Sequence, residues 1–240
     1  MYFFNTLCRE KMDYCALLAS GRGIRMGKIG VPKQFLRIKN VPLIVYTMKT
    51  ILKEGIFSEI YIGILEEHKT LMNEILDVFF DTSELSRVRI VNGGETRMET
   101  FFNILKTIEP SYADYICMTD ANRPLISSEI YERCMDCAKK FGMCCPAHPV
   151  VDGVCCVKDG VIYDIPDKSN LYAFQTPECF NYGEFEEIYS AVKNREKYLG
   201  IAELFLAAGK KPHIILSDDR CFKVTTPIDL DVLNVMLQKG

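Results

Sequence analysis

Residues 15–36, CALLASGRGIRMGKIGVPKQFL, constrain this chain more than any other stretch. The apolar run 15–19 reads as a buried strand. Ser20, Gly21 and Gly23 follow it at once, residues that let a backbone come close to a bound group. Successive amides in such a turn form an anion nest. Arg22, Arg25, Lys28 and Lys33 lie close behind the turn, and no acidic residue occurs between Ser20 and Lys53. The loop therefore has the composition of a polyphosphate site, with a basic surface turn as the bland alternative.

Spacing separates the phosphate motifs. A P-loop requires Gly-Lys-Ser/Thr, which is missing here, and the dinucleotide fingerprint requires G-x-G-x-x-G, whereas Gly21, Gly23 and Gly27 are spaced G-x-G-x-x-x-G. About 20 residues further on, where a ribose-binding acid belongs, stand Lys39, Asn40 and Val41, which disfavours a dinucleotide-type reductase. What remains is A-x-G-x-G-x-R-M-G from Ala19 followed by P-K-Q-F-L from Pro32. This pair resembles the nucleotidyltransferase signature, and its second half resembles the 2-C-methyl-D-erythritol 4-phosphate cytidylyltransferase family.

The length, 240 residues, suits one large α/β domain with a full core. A net charge of −3 argues against a nucleic-acid partner, so positive charge has to be focused locally. The apolar patch 2–4 is too short for a signal peptide, and no run of about 18 apolar residues occurs, so no membrane span and a cytoplasmic location are expected. Residues 1–11 read as an extension ahead of a domain over 12–240. Eleven cysteines in such a chain point to reduced thiols. Cys134, Cys137, Cys144, Cys145, Cys155 and Cys156 include a C-x-x-C compatible with zinc, but helical spacing around Cys134 and Cys137 favours small buried hydrophobes.

Strands are expected over 59–65, 87–91 and 115–118, with helices from 44, 67 and 101 onward on the spacing of their apolar residues. Gly93-Gly94-Glu95-Thr96-Arg97-Met98-Glu99-Thr100 sits at a strand-to-helix turn, where two glycines admit a base or ribose and free helix amides favour an acceptor. It resembles the family's G-G-x-x-R-x-x-S, with Thr100 for serine. Thr119-Asp120-Ala121-Asn122-Arg123-Pro124 places a carboxylate at a strand's carboxyl end, where ligands collect in open α/β sheets. It resembles H-D-A-A-R-P. Asp120 is compatible with holding a magnesium triphosphate, with positioning an acceptor, or with capping the next helix alongside Arg123.

From 146 to 177 the texture changes to alternating segments around Lys158-Asp159-Gly160, a hairpin signal, ending in Gln175-Thr176-Pro177. Such a hairpin has little core of its own. The resemblance implies that this β-arm embraces a second subunit in a homodimer. Here the sequence also departs from the family: its D-T-x-K is Asp152-Gly153-Val154-Cys155, its T-V-D-R is Ile165-Pro166-Asp167-Lys168, and its T-D-D/E acids are replaced by Leu199, Gly200 and Ile201. Lysine for arginine exchanges a bidentate fork for a point charge. Near the end, Cys221-Phe222-Lys223-Val224-Thr225-Thr226-Pro227-Ile228-Asp229-Leu230 resembles N-I-K-x-T-x-P-x-D-L, and Thr226, Pro227 and Asp229 also make a good helix start.

The ordered motifs cover nearly all of 12–240. They imply an α/β, three-layer Rossmann-like nucleotidyltransferase (GT-A-like) fold with a mostly parallel twisted sheet and a projecting β-arm over 146–177. The implied reaction is CTP-dependent transfer of CMP to a phosphorylated polyol, either 2-C-methyl-D-erythritol 4-phosphate or ribitol 5-phosphate, with release of pyrophosphate. In it Ala19, Ser20, Gly21, Gly23, Gly93, Gly94, Arg97 and Thr100 bind the nucleotide, and Arg25 and Lys33 stabilise the transferring phosphate. Asp120, Arg123, Lys168, Thr176 and Lys223 serve the acceptor, Lys168 and Lys223 by positioning its phosphate, while Mg2+, with Asp120 as ligand, accompanies CTP. A non-catalytic nucleotide-binding relative is the alternative, and the retained Arg25, Lys33 and Lys223 count against it.

Overall fold

The computed structural model describes residues 11–23 and 31–238. The main sheet has eight strands: β1 (Asp13–Leu18), β4 (Glu59–Ile64), β5 (Val88–Asn92), β6 (Tyr115–Asp120), β7 (Met143–Pro149), β10 (Tyr172–Phe174), β11 (Glu178–Asn181) and β12 (His213–Leu216). A short pair, β2 (Arg37–Ile38) and β3 (Val41–Pro42), forms a separate ribbon ahead of helix α1 (Leu43–Ile51). The remaining helices are α2 (Lys69–Phe79), α3 (Thr82–Leu85), α4 (Arg97–Ile108), α5 (Ser128–Phe141), α6 (Tyr182–Ala191), α7 (Ile201–Ala207) and α8 (Pro227–Gln238).

Strands β5, β4, β1 and β6 are neighbours and parallel; β11 is antiparallel to both β6 and β7, and β12 runs parallel to β7 at the far edge. Both faces are covered because residues alternate across a strand. Along β1, Cys15 and Leu17 pack with α1, α2 and α5, while Tyr14, Ala16 and Leu18 pack with α4, α6 and α7. The chain moves outward from β1 through β4 to β5, then returns across the sheet to add β6 on the other side of β1. That reversal leaves a crevice at the carboxyl ends of β1 and β6, where open α/β sheets bind ligands.

The arm is narrower than the 146–177 expected from sequence. Residues 146–149 belong to β7 and 172–174 pair with it as β10, because Pro146 and Ala147 are buried in the main sheet rather than free to project. Between them β8 (Cys156–Lys158) and β9 (Val161–Asp164) form their own two-stranded sheet. Its loop is Asp159-Gly160, with φ values of 51° and 81°, the left-handed pair that a two-residue hairpin requires. Val157, Val161, Ile162, Tyr163 and Ile165 are exposed on it.

Of the six cysteines weighed as a metal cluster, Cys144 meets Cys134 and Cys137, but the six do not come together. Cys134, Cys144 and Cys145 are buried, Cys137 is half-buried, and Cys155 and Cys156 sit on the arm; no metal-holding group of His, Cys, Asp or Glu occurs among the described residues. Among those residues, too, no helix is long and apolar enough to cross a membrane.

Gly63 sets how closely α4 lies on the sheet: a Cβ there would come within 2.4 Å of Thr100 Cγ2 and 2.9 Å of Ile104 Cδ1. Both neighbours are short, buried side chains on the face of α4 that meets β4. Gly63→Ala is expected to lower stability by about 1–3 kcal/mol through overpacking, measured as an earlier urea midpoint at unchanged m-value.

Candidate active site

A cavity of about 300 Å³ opens at the β1–β6 crevice. The first glycine turn forms one wall. Gln34, buried in the short 3-10 turn Lys33–Phe35, donates from Nε2 to the Ala19 carbonyl at 2.6 Å, which fastens P-K-Q-F-L to the end of β1. Gly23 has φ 69°, and a Cβ there would lie 3.2 Å from the Lys33 amide nitrogen, so glycine lets the turn lie against the residue that brings Lys33 to the cavity. Ala19, Ser20, Gly21, Gly23 and Lys33 all line it. Arg25 falls in residues 24–30, outside the described residues.

The second glycine loop meets the first. Ser20 Oγ donates to the Gly63 carbonyl at 3.1 Å, and a Cβ on Gly93 would lie 1.7 Å from that same Oγ. Gly93 is thus a spacer behind the wall, whereas Gly94, Arg97 and Thr100 reach the lining. Thr100, 1 % exposed, accepts from the Gly94 amide at 3.0 Å and its Oγ1 also lies 3.0 Å from the Thr96 carbonyl. Its hydroxyl folds the glycine loop, and Thr96 caps α4 in a capping box with Glu99.

At the floor lies Asp120, the last residue of β6, 6 % exposed. Lys223 Nζ stands 2.7 Å from Oδ2, Arg97 Nε 3.5 Å from Oδ1 and Arg123 Nε 3.8 Å from Oδ2. Burial by itself would raise this carboxyl, but Lys223, Arg97 and Arg123 together outweigh it and hold Asp120 well below the usual carboxylate range. Arg97 spends its other nitrogens on the Leu199 carbonyl at 2.9 Å and on Glu178 at 2.8 Å. Glu178, 2 % exposed, also accepts from the Ala202 amide at 2.9 Å. The segment 199–201, where the family's acids are replaced, is therefore tied to the cavity through Arg97.

Asp120 and Arg123 do not cap α5; its N-cap is Ser127. Arg123 instead donates to Thr176 Oγ1 at 2.7 Å and to the Cys221 carbonyl. It braces β6 against the segment that carries Lys223, and neither Arg123 nor Thr176 lines the cavity. The helix-start reading of Thr226 and Asp229 holds: Asp229 Oδ2 accepts from the Thr225 amide at 2.8 Å and the Thr226 amide at 2.7 Å, and Lys223 is left to the cavity. Lys168 is the one described site candidate that this geometry does not bring to the cavity or its supports. It sits on the arm, exposed, with Nζ donating to the Val151 carbonyl at 3.0 Å.

The lining thus carries four cations (Arg22, Lys33, Arg97, Lys223) and two acids (Glu95, Asp120) on a protein of net charge −3. A family model for 2-C-methyl-D-erythritol 4-phosphate cytidylyltransferase (IspD) matches residues 14–239. The chain belongs to that family. As a member of the cytidylyltransferase family it is an enzyme, a nucleotidyltransferase of the CTP-dependent type. Solved structures agree on the fold. The 4-diphosphocytidyl-2C-methyl-D-erythritol synthase of Anaerococcus prevotii superposes with TM-score 0.79 at 23% identity, covering 95% of this chain and 96% of that one. The 2-C-methyl-D-erythritol 4-phosphate cytidylyltransferase of Francisella tularensis gives 0.77 at 22%, covering 94% and 99%. That of Thermus thermophilus gives 0.73 at 19%, covering 95% and 99%.

Gln34 and Glu178 were not singled out from sequence. Gln34 lies inside P-K-Q-F-L and Glu178 directly follows Gln175-Thr176-Pro177, so adjacency to a motif was the available signal. For Asp120→Asn we expect a loss of about 3 kcal/mol, since three cations would then crowd a neutral amide. The folded carboxyl lies below its unfolded value, so its contribution is complete above about pH 4 and is lost on further acidification. The variant's stability, followed by denaturant unfolding between neutral pH and about pH 3, should therefore fall less steeply at the acid end than that of the unaltered protein.

Proposed function

We propose that the enzyme transfers CMP from CTP to a phosphorylated polyol, 2-C-methyl-D-erythritol 4-phosphate or ribitol 5-phosphate, releasing pyrophosphate. The observation that carries this reading is a cationic cavity built from two touching glycine turns at the sheet's switch point, on an otherwise anionic chain. The acceptor's phosphate oxygen attacks the α-phosphorus of CTP, the bond from that phosphorus to the bridging oxygen breaks, and pyrophosphate leaves with the electron pair. A phosphate monoester is already ionised near neutral pH, so no base has to be supplied. The chain's task is to bring two anions together and to stabilise charge on the transferring and leaving groups. Lys33, with Arg25, serves the transferring phosphate and the pyrophosphate, and Lys223 positions the acceptor phosphate. Its pairing with Asp120 keeps it aimed before the acceptor arrives.

Magnesium fits this site as a companion of the triphosphate. Asp120 is ionised and lines the cavity, and magnesium bound chiefly by phosphates takes one or two carboxylates from its protein. When bound it would neutralise charge on the phosphate chain. Consumption of CTP fits a cytoplasmic enzyme of small-molecule substrates, over the domain 12–240.

Lys168 lies on the arm and away from its own chain's cavity, so we assign it to the acceptor of a second subunit embraced by that arm. The exposed Val161, Ile162, Tyr163 and Ile165 supply the apolar area such a dimer would cover.

Pyrophosphate release should require CTP together with one of the two polyol phosphates, and CTP binding without release across a polyol-phosphate panel would overturn the reading. Lys33→Ala should lower turnover by about two to three orders of magnitude with an unchanged melting temperature. Lys168→Ala should raise the KM for the acceptor at least several-fold more than that for CTP; an equal effect on both would undo its assignment.

A further inference from the structure

Arg22 stands at an unspecified position of the first glycine motif and Glu95 at an unspecified position of the second, yet they meet. Arg22 Nη2 donates to Glu95 Oε1 at 2.8 Å and to Oε2 at 3.1 Å. The two residues are 73 apart in sequence, and their loops follow β1 and β5, with β4 between those strands. Both line the nucleotide cavity, so the pair bridges its rim.

Its surroundings set this pair apart from the other ion pairs of the lining. Arg97 and Lys223 are fastened to Glu178 and Asp120, carboxylates whose side chains are 2 % and 8 % exposed. Arg22 and Glu95 are 53 % and 69 % exposed, so water competes for both and the contact is weakly held. A phosphate chain offers a guanidinium the same two-oxygen geometry as a carboxylate with more charge.

We propose that Arg22 is an exchangeable ligand for the nucleotide's phosphate chain: Glu95 holds it across the rim of the empty cavity, and the incoming triphosphate takes it over. Glu95 acts as a competitor that also keeps the guanidinium at the entrance. This rests on the reading of the cavity as the CTP site. Arg22 then adds a cation that the family pattern does not specify, and Glu95 sets how tightly CTP is held.

The test is a double-mutant cycle on CTP affinity, measured calorimetrically with magnesium, using Glu95→Gln, Arg22→Gln and the double variant. Melting temperatures serve as the check on folding, and both side chains are exposed. Glu95→Gln should tighten CTP about two- to fivefold, the worth of an exposed ion pair. Arg22→Gln should weaken it about tenfold. With Arg22 already removed, Glu95→Gln should change affinity by less than about 1.5-fold. Weaker binding in Glu95→Gln, unchanged binding in Arg22→Gln, or equal effects of Glu95→Gln in both backgrounds would overturn the exchange. Failure of the unaltered protein to bind CTP would instead overturn the nucleotide reading and the exchange with it.

Discussion

One buried carboxylate organises the positive charge of this protein. Arg97 comes from the start of α4, Arg123 from the turn after β6 and Lys223 from the segment before α8, and all three approach Asp120. Without it these three cations would repel one another. With it they stand in fixed positions around a space that still carries a surplus of cations. The cost of burying Asp120 is offset by three partners at once, which is why its proton is held so weakly. The same arrangement gives Lys223 a resting partner close to the place where an acceptor's phosphate is to be held.

That charge is aimed by the backbone. The chain reverses its direction of travel across the sheet between β5 and β6, which places the ends of β1 and β6 side by side. Glycines then control how closely the surrounding pieces approach. Gly63 lets α4 settle on β4, Gly93 lets the second turn touch Ser20 of the first, and Gly23 lets the first turn lie against Lys33. At each position a Cβ would press on the neighbouring segment, so its absence sets how closely the two pieces lie. The Gln34 amide on the Ala19 carbonyl supplies the matching attraction. Cavity shape therefore depends on a few contacts, none of which needs to touch a ligand.

Much of this was legible in the sequence because the informative signals are local. Apolar runs and helical spacing located β1, β4, β6 and α4, and short motifs located Ser20, Lys33, Gly94, Asp120 and Lys223. What was not legible depends on pairs far apart in the chain. Nothing in the local pattern says that Glu178 meets Arg97, 81 residues away, or that Gln34 is the buried clasp rather than its neighbours. The arm is narrower than expected for the same reason: only the pairing of β10 with β7 shows that those residues stay in the sheet. Arg123 and Thr176 carried motif signals and proved to be braces, since a motif marks a residue without saying whether it faces the cavity or stands behind it. Lys168 was recognisable as a departure, and only the fold shows that it does not line the cavity.

The sheet also carries a row of thiols. Cys15, Cys117, Cys179 and Cys144 are successive cross-strand partners on β1, β6, β11 and β7, all buried, and Cys134 of α5 packs above them. Burial pushes the Cys117, Cys179 and Cys134 thiols up, and Cys144 is pushed up chiefly by its contact with Cys134, so these groups are poor nucleophiles while the sheet is intact. Cys155, on the arm, is exposed. Among the described residues an alkylating reagent therefore meets thiols of different reach: Cys155 on the surface, Cys137 and Cys156 half-buried, and an interior set that reacts when the strands part. The protein carries its own chemical clock for the opening of its central sheet, with no reporter group to be added.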